Sequence, residues 1–385
     1  MIDLTAYAIS PTRGFLPDTD PLDRLPAEFE PWEGLADQLS PLLAADCYRA
    51  AADRLPLLDP GPLTDGAPLE RAMQTLSFLG SAYVHADDRA PATRLPRAIA
   101  EPWDAVARRL GRPTIIAHAS YVLTNWRRID PEGPVALGNL ACQRTFLGGL
   151  DEQWFILVTA AIEATGAPAL SAIARSQDAV DRNAPEDVVD GLESIAQVTG
   201  AITGVLERMY ERCDPRGFYL RVRPYLASWV EPGVRFDGTT GPPRILTGGS
   251  AAQSTLIQAL DAGLGVVHTH PASQPFLAAM RGYMPPPHRA FLERLEAGPS
   301  IRSFVDARRA QIPALAERYD RCIDALDLFR KRHLEIAARY ITRQAKDVVG
   351  ALGTGGTEFT TFLTASRRET SAQRIVPRLS ESDSE

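Results

Sequence analysis

From about residue 150 onward, apolar side chains recur three and four positions apart over long stretches, the period of one helix face. The pattern predicts helices over about 151–165, 184–213, 252–263 and 314–344, with an earlier one over about 69–85. The first third is punctuated instead by proline, glycine and aspartate at turn spacing, as in 9–26 and 55–68. Such stretches read as irregular connections between short helices. No segment sustains period-two alternation rich in β-branched residues, and neither a strand–helix–strand rhythm nor an internal repeat is present. The expected fold is therefore mostly α. It comprises a small, irregular helical N-terminal domain over 1–125, a larger all-α domain over 126–365, and a polar tail over 366–385 that is frayed or disordered.

The last long helix carries the most informative position. Leu315, Tyr319, Cys322, Leu326, Phe329, His333, Ile336 and Tyr340 alternate spacings of four and three, which is one continuous helix face. Glu317, Arg318, Asp320, Arg321, Asp324, Asp327, Lys331 and Arg332 fall opposite, on the face expected to meet solvent. His333 is thus predicted to point inward. A buried imidazole needs partners for its ring nitrogens, and its stripe neighbours Phe329, Ile336 and Ala337 supply none. Two readings stay open: another element satisfies a core histidine, or the ring ligates something, as the proximal ligand of a haem does.

The other histidines carry less. His268 and His270 form a His-Thr-His pair with no third metal ligand nearby, which reads as an exposed loop. His288 starts a helix and His85 ends one, so surface packing or a favourable helix end suffices. His118 lies in an apolar run and is expected to be buried, able to face a pocket.

Further along, Asp214 and Pro215 open a helix as N-cap and first residue. Arg221 and Arg223 lie two apart, so on a helix they point about 200° apart and cannot both meet solvent. Arg223 precedes Pro224, which predicts that the helix ends or kinks there. An inward arginine beside Phe218, Tyr219 and Tyr225 needs an anionic partner, either an internal carboxylate or that of a small molecule. The glycine-rich stretch 247–251 leads into a helix start, where backbone N–H groups suit an anion. A second, 353–357, lacks the lysine of a phosphate loop and suits a mobile lid. In the 151–165 helix, Trp154, Phe155, Val158 and Ile162 read as core; the Thr159 hydroxyl either bonds back to the Phe155 carbonyl or faces a cavity.

Composition narrows the class. Among 385 residues, 41 basic against 48 acidic side chains give a formal charge of −7, and no long basic run offers a footprint for nucleic acid. The longest stretch without a charge, 262–280, holds two histidines and two prolines and is not expected to span a bilayer. The N-terminus shows no signal-peptide pattern. Four scattered cysteines without a CxxC pair argue against a disulfide framework or zinc site and fit a reducing cytoplasm.

Ordered blocks along the chain resemble the indoleamine 2,3-dioxygenase family of haem proteins. They are YAISPTRGFLPDTDPL at 7–22, SYVLTNWRRIDP at 120–131, FLGGLDEQWFILV at 146–158, ERCDPRGFYLRVRPYLASW at 211–229, GGSAAQSTLIQALDAGLG at 248–265, MRGYMPPPHRAFLERLE at 280–296, FRKRHLEIAARYI at 329–341 and GTGGTEF at 353–359. The resemblance implies that 126–365 is a haem-binding catalytic domain with His333 as proximal ligand of haem b. It implies that Gly249, Ser250 and Ala251 lie beside the haem edge, and that Asp261 and Arg330 form a charged pair near a propionate. It places Arg223 on the carboxylate of a tryptophan-like substrate, with Phe155, Phe218 and Tyr219 around the indole. Thr159 takes a distal polar position, His118 and Tyr121 line the pocket, and Thr354 belongs to a mobile lid.

The implied activity is cleavage of the indole C2–C3 bond of L-tryptophan or a derivative with O2, giving an N-formylkynurenine-type product. That belongs to tryptophan catabolism through the kynurenine pathway. The implied setting is a cytoplasmic monomer served by an electron donor that keeps the haem ferrous, with no nucleic-acid or membrane partner. The chain departs from the family where Thr159 replaces serine or histidine, His118 replaces tyrosine and Tyr219 replaces phenylalanine. These departures cluster in the expected pocket and motivate an alternative: monooxygenation or ring rearrangement of a modified tryptophan on the same scaffold.

Overall fold

Proline opens many of the helices, because the N–H it lacks would have no partner in the first turn. The computed structural model describes residues 2–87, 89–345, 353 and 359–375. In the first third, α1 (Glu30–Asp37), α2 (Leu39–Ala44) and α3 (Tyr48–Ala52) are short, and α4 (Ala67–His85) packs on α5 (Arg97–Leu110). That packing depends on Gly80, where a Cβ would come within 2.1 Å of the Trp103 ring. The long helices follow: α6 (Leu150–Thr165), α7 (Ala167–Asp181) and α8 (Pro185–Glu207), then the short α9 (Met209–Arg212) and α10 (Pro215–Gly217). The remainder is α11 (Thr255–Leu264), α12 (Gln274–Arg281), α13 (Pro286–Glu296), α14 (Ile301–Arg308), α15 (Pro313–Ala337) and α16 (Phe359–Ser371).

The mostly α architecture agrees with the periodicity, and so do the positions of the long helices. Five strands among the described residues escaped it: β1 (Arg94–Leu95), β2 (Arg127–Arg128), β3 (Leu140–Ala141), β4 (Trp229–Phe236) and β5 (Arg244–Leu246). β4 pairs with β1 in parallel, Leu95 opposite Phe236, and with β5 antiparallel, Trp229 opposite Leu246; β2 pairs with β3 antiparallel. The run Leu150–Asp181 is long and apolar enough to cross a membrane by composition, but most of it is buried within the protein.

α15 packs along α8, which packs along α7, and one continuous apolar core runs from Leu4 to Ile375. Buried Glu33 ties the first helices to later chain, pairing with Arg71 at 2.7 Å and with Arg144. Burial alone would raise its carboxyl, but the Arg71 hydrogen bond and the two guanidinium charges hold it below the usual range.

Residues 366–375, read from sequence as the start of a polar tail, are helical or packed, with Ser366, Thr370 and Ile375 buried. Their polar groups meet the acidic stripe of α15. Arg367 pairs with Asp327 at 2.9 Å, Arg374 with Asp324, and the Ile375 N–H donates to Asp320 at 2.8 Å. The face of α15 expected to meet solvent is therefore partly covered by α16. Residues 376–385 lie outside the described part of the chain.

Candidate functional site

On α6 nearly every side chain from Trp154 to Ala164 is buried, but Phe155 and Thr159 stay half-buried. They are four apart, so they share one face. Beside them the Tyr121 ring lies 6.2 Å and the Phe218 ring 4.8 Å from that of Phe155. Tyr121 is buried behind this surface, stacked near Phe78, and burial pushes its phenol well up. The Thr159 hydroxyl donates to the Phe155 carbonyl at 2.7 Å, so of the two fates open to it the bond within the helix is the one taken.

The segment carrying Phe218, Tyr219 and Arg223 begins as expected, with the Asp214 carboxylate accepting from Arg216 and Gly217 N–H at 2.9 and 2.8 Å. It does not end at Arg223. A π turn over Phe218–Val222 runs into a 3₁₀ turn over Arg223–Leu226, and Arg223 keeps helical angles, φ −54° and ψ −40°. The wider π turn accommodates Pro224, which an α-helix would reject for its ring clash and missing donor. Arg223 is half-buried with its guanidinium 5.1 Å from the Tyr219 ring centroid, and burial pushes its pKa down. Phe218 in turn meets Tyr340, just beyond α15, edge-on at 5.9 Å.

Between these elements runs the glycine loop. Gly248 is pressed against the chain of Leu226, whose carbonyl oxygen a Cβ would approach to 2.1 Å. Gly249 donates its N–H to that carbonyl at 3.0 Å. Ser250 and Gln253 form a reciprocal capping box around the turn Ala251–Gln253, leaving Ser250 half-buried and Ala251 exposed. Gln253 also accepts the His118 N–H at 3.0 Å, while Ser254 donates to Glu163 at 2.6 Å. His118 is buried as expected, with Nε2 2.8 Å from Glu163.

On α15, His333, Leu334 and Ala337 are half-buried, as is Ile341 beyond its end. A second, small apolar cluster covers part of this strip: Phe359, Phe362 and Leu363 of α16, packed with Ala252, Phe276, Leu334, Ala337 and Ile341. The strip and the glycine loop are thus brought together. Burial, and then the charge of Arg330, push the His333 imidazole down to about 4. It is therefore neutral at pH 7, and no described group hydrogen-bonds either ring nitrogen.

One turn earlier, Arg330 meets both oxygens of buried Asp261 at 2.6 Å, as the resemblance implied. Asp261 also accepts from His268 at 3.2 Å, and the other His268 nitrogen lies 2.8 Å from Glu369. Whereas His270 is exposed as expected, the His268 side chain is therefore turned inward. Burial works against its charge, but the Asp261 hydrogen bond and charge raise its pKa. Glu369 is opposed by burial too, yet His268 and the N–H groups of His270 and Thr269 bring it down to about 2. His85 and His288 also correct the surface reading: burial drives both down to about 4.

These features fit a haem. A neutral histidine whose ring nitrogens meet no described hydrogen-bonding group lies on a half-open apolar strip, and buried Arg330 keeps Nε without a hydrogen-bond partner among the described residues, suited to an anionic propionate. Sequence reasoning missed Glu163, Gln253, Ser254 and Glu369, and read His268 as exposed. A signal existed for Glu163, which stands two turns after Phe155 on an apolar face; the His268–Glu369 pair spans 101 residues and leaves no local mark. Thr354 lies outside the described residues.

Comparison with known proteins agrees with this reading. The family model for indoleamine 2,3-dioxygenase matches residues 3–373. Indoleamine 2,3-dioxygenase 2 of Homo sapiens is 35% identical over 398 residues, covering 98% of this chain and 97% of that protein. Indoleamine 2,3-dioxygenase of Saccharomyces cerevisiae is 36% identical over 428 residues, covering 96% and 93%. A protein of Fusarium equiseti named 6-hydroxytryptophan 2,3-dioxygenase is 32% identical over 397 residues, covering 96% and 97%.

Proposed function

The chain belongs to the indoleamine 2,3-dioxygenase family, and from that premise we propose how its residues divide the work. The enzyme is a haem-dependent dioxygenase that cleaves the indole C2–C3 bond of tryptophan or a tryptophan derivative, giving an N-formylkynurenine-type product. Haem b supplies the binding and activation of O2. His333 would hold its iron, Arg330, oriented by Asp261, would meet a propionate, and Gly249, Ser250 and Ala251 would lie along the haem edge. The observation that carries this assignment is the neutral His333 ring, unpartnered by any described group on a half-open apolar strip.

Arg223 binds the substrate carboxylate and thereby fixes the ring's position. Phe155, Phe218 and Tyr219 hold the indole, with Tyr121 backing Phe155 and His118 at the inner end of the pocket. Thr159 contributes lone pairs only, since its proton is engaged by the Phe155 carbonyl. It moves no proton in the reaction.

The wider setting belongs to the same proposal. The enzyme acts in tryptophan catabolism through the kynurenine pathway, as a cytoplasmic monomer without nucleic-acid or membrane partners, served by an electron donor that keeps the iron ferrous. Four free cysteines support a reducing compartment. The name of the Fusarium relative supports a ring-modified tryptophan as an alternative substrate.

The test is aerobic turnover of the reduced, haem-loaded protein with L-tryptophan and with 6-hydroxy-L-tryptophan, using isotope-labelled O2. Incorporation of both oxygen atoms with ring opening supports the reading. A product carrying one added oxygen, or none, overturns it in favour of monooxygenation or rearrangement.

A further inference from the structure

Glu163 is a charged residue at the inner end of an apolar helix face, and nothing in the chemistry above uses it. It stands four residues after Thr159 on α6, and its side chain is 1% exposed. One oxygen, Oε1, receives the Ser254 hydroxyl at 2.6 Å and lies 2.8 Å from His118 Nε2. The other, Oε2, is buried with no hydrogen-bond partner. The His118 N–H is held by Gln253, whose own amide donates to the Gly248 carbonyl at 2.9 Å. One carboxyl group therefore joins α6, the His118 segment and the glycine loop, three of the elements that surround the site.

The donor inventory then decides what His118 can offer. A carboxylate accepts and cannot donate, so in the neutral tautomer that this contact selects the hydrogen resides on Nε2 and Nδ1 is an acceptor. No described group hydrogen-bonds Nδ1. A buried acceptor left unmatched disfavours a substrate that has no donor to give.

We propose that Glu163 is a positioning residue for the substrate: it fixes His118 with hydrogen on Nε2, so that Nδ1 accepts a hydrogen bond from a donor on the substrate's aromatic ring. That donor is the indole N–H or a hydroxyl carried on the six-membered ring. The inference rests on the proposed place of His118 in the substrate pocket. It makes the pair a determinant of which indoles the enzyme accepts.

The test compares ligand binding, read from the Soret shift of the haem-loaded ferric protein, with steady-state turnover. The ligands are L-tryptophan, 6-hydroxy-L-tryptophan and benzothienyl-L-alanine, in which sulfur replaces the ring N–H. The proteins are wild type, Glu163→Gln, His118→Phe and the double variant. Glutamine preserves size but can donate as well as accept, so the ring's tautomer is no longer fixed. Wild type is expected to favour a donor-bearing ligand over benzothienyl-L-alanine by about tenfold, the scale of one hydrogen bond.

Both single variants are expected to lose that preference, and the double variant to lose no more than either. An N–H donor shows in the benzothienyl comparison, and a hydroxyl donor shows as tighter wild-type binding of 6-hydroxy-L-tryptophan that His118→Phe abolishes. Preferences unchanged in both single variants, or additive losses, overturn the proposal. A lowered melting temperature with unchanged preferences makes Glu163 merely structural and overturns it too. If Glu163→Gln does not fold, His118→Phe alone decides whether the acceptor exists, and Ser254→Ala tests the carboxylate through its other donor. Failure of the wild type to load haem or open tryptophan's ring sinks the functional reading itself, an outcome distinct from these.

Discussion

The two sides of the site are held by different forces. The Phe155 side is a continuous set of rings: Tyr121, Phe155 and Phe218, backed by Phe78, Phe146 and Tyr225, with neighbouring centroids 4.6–6.3 Å apart. Glu163 and His118 form a buried ionisable pair on this side. The His333 side is backed by a chain of charges, Arg330 to Asp261 to His268 to Glu369, with links of 2.6–3.2 Å. Ring contacts are weakly directional and tolerate substitution when volume is kept. A buried chain of charges tolerates little, since losing one link strands the next. The contrast assigns variation in substrate to the aromatic side and constancy of the haem seat to the charged side.

The largest effect is expected at the centre of the charged side. His333→Ala should abolish stable haem binding, seen as loss of the Soret band in purified protein and loss of turnover. A normal Soret band with full activity removes the ligand assignment. Next comes Asp261→Ala, which leaves Arg330 and His268 facing each other in a buried place. Breaking such a pair costs about 3–5 kcal/mol, measurable as a fall in the urea midpoint of the apoprotein. A change below about 1 kcal/mol would mean that the charged side is no more exacting than the aromatic one.

Arg223→Ala tests the aromatic side where it carries its own charge. A loss of about a hundredfold in kcat/KM for L-tryptophan is expected, the scale of a charge-assisted bond to a carboxylate. Tryptamine, which has no carboxylate, should suffer much less. Equal losses on both substrates would make Arg223 structural.

How much of this contrast the sequence exposed depends on the range of each interaction. His333 was legible because a helix repeats every 3.6 residues, and seven neighbours marked its face. The helix bearing Phe155 and Thr159 was legible for the same reason. The partners behind them were not. Glu163 and Ser254 are 91 residues apart, and His268 and Glu369 are 101 apart. No local period records such pairs. Residues 366–375 were misread because their polar side chains look solvated in isolation, whereas Arg367 and Ser371 face Asp327 and Arg374 faces Asp324 on another helix. The π turn before Pro224 was hidden because a local rule about proline predicts an end or a kink, and a change of helix type satisfies the same constraint.

A smaller effect, and one with a sign, is expected from His268. Its pKa is raised in the folded protein, so its stabilisation is fully present below the unfolded value and is lost as pH rises through the folded one. His85 and His288 are depressed to about 4, so theirs is present above the unfolded value and lost as pH falls. His268→Gln should therefore lower stability by about 1–2 kcal/mol on the acidic side of that transition. It should leave the alkaline side close to wild type, in urea titrations run across pH. A loss of equal size at every pH would show that the ring contributes by packing and not by its charge between Asp261 and Glu369.

The smallest effect is expected at Thr159, although its place beside Phe155 invites a larger role. Its hydroxyl proton is already given to the Phe155 carbonyl at 2.7 Å. Thr159→Ala removes only that local bond and a methyl group from a half-buried position. The Phe155 carbonyl remains placed within α6 for its backbone helix bond. The change in kcat/KM should stay within about threefold, less than about 1 kcal/mol. A loss beyond about tenfold would show that the hydroxyl leaves the helix when substrate is bound. The aromatic side would then contain a polar group that responds to the ligand, and its contrast with the charged side would narrow to the difference between a movable donor and a fixed one.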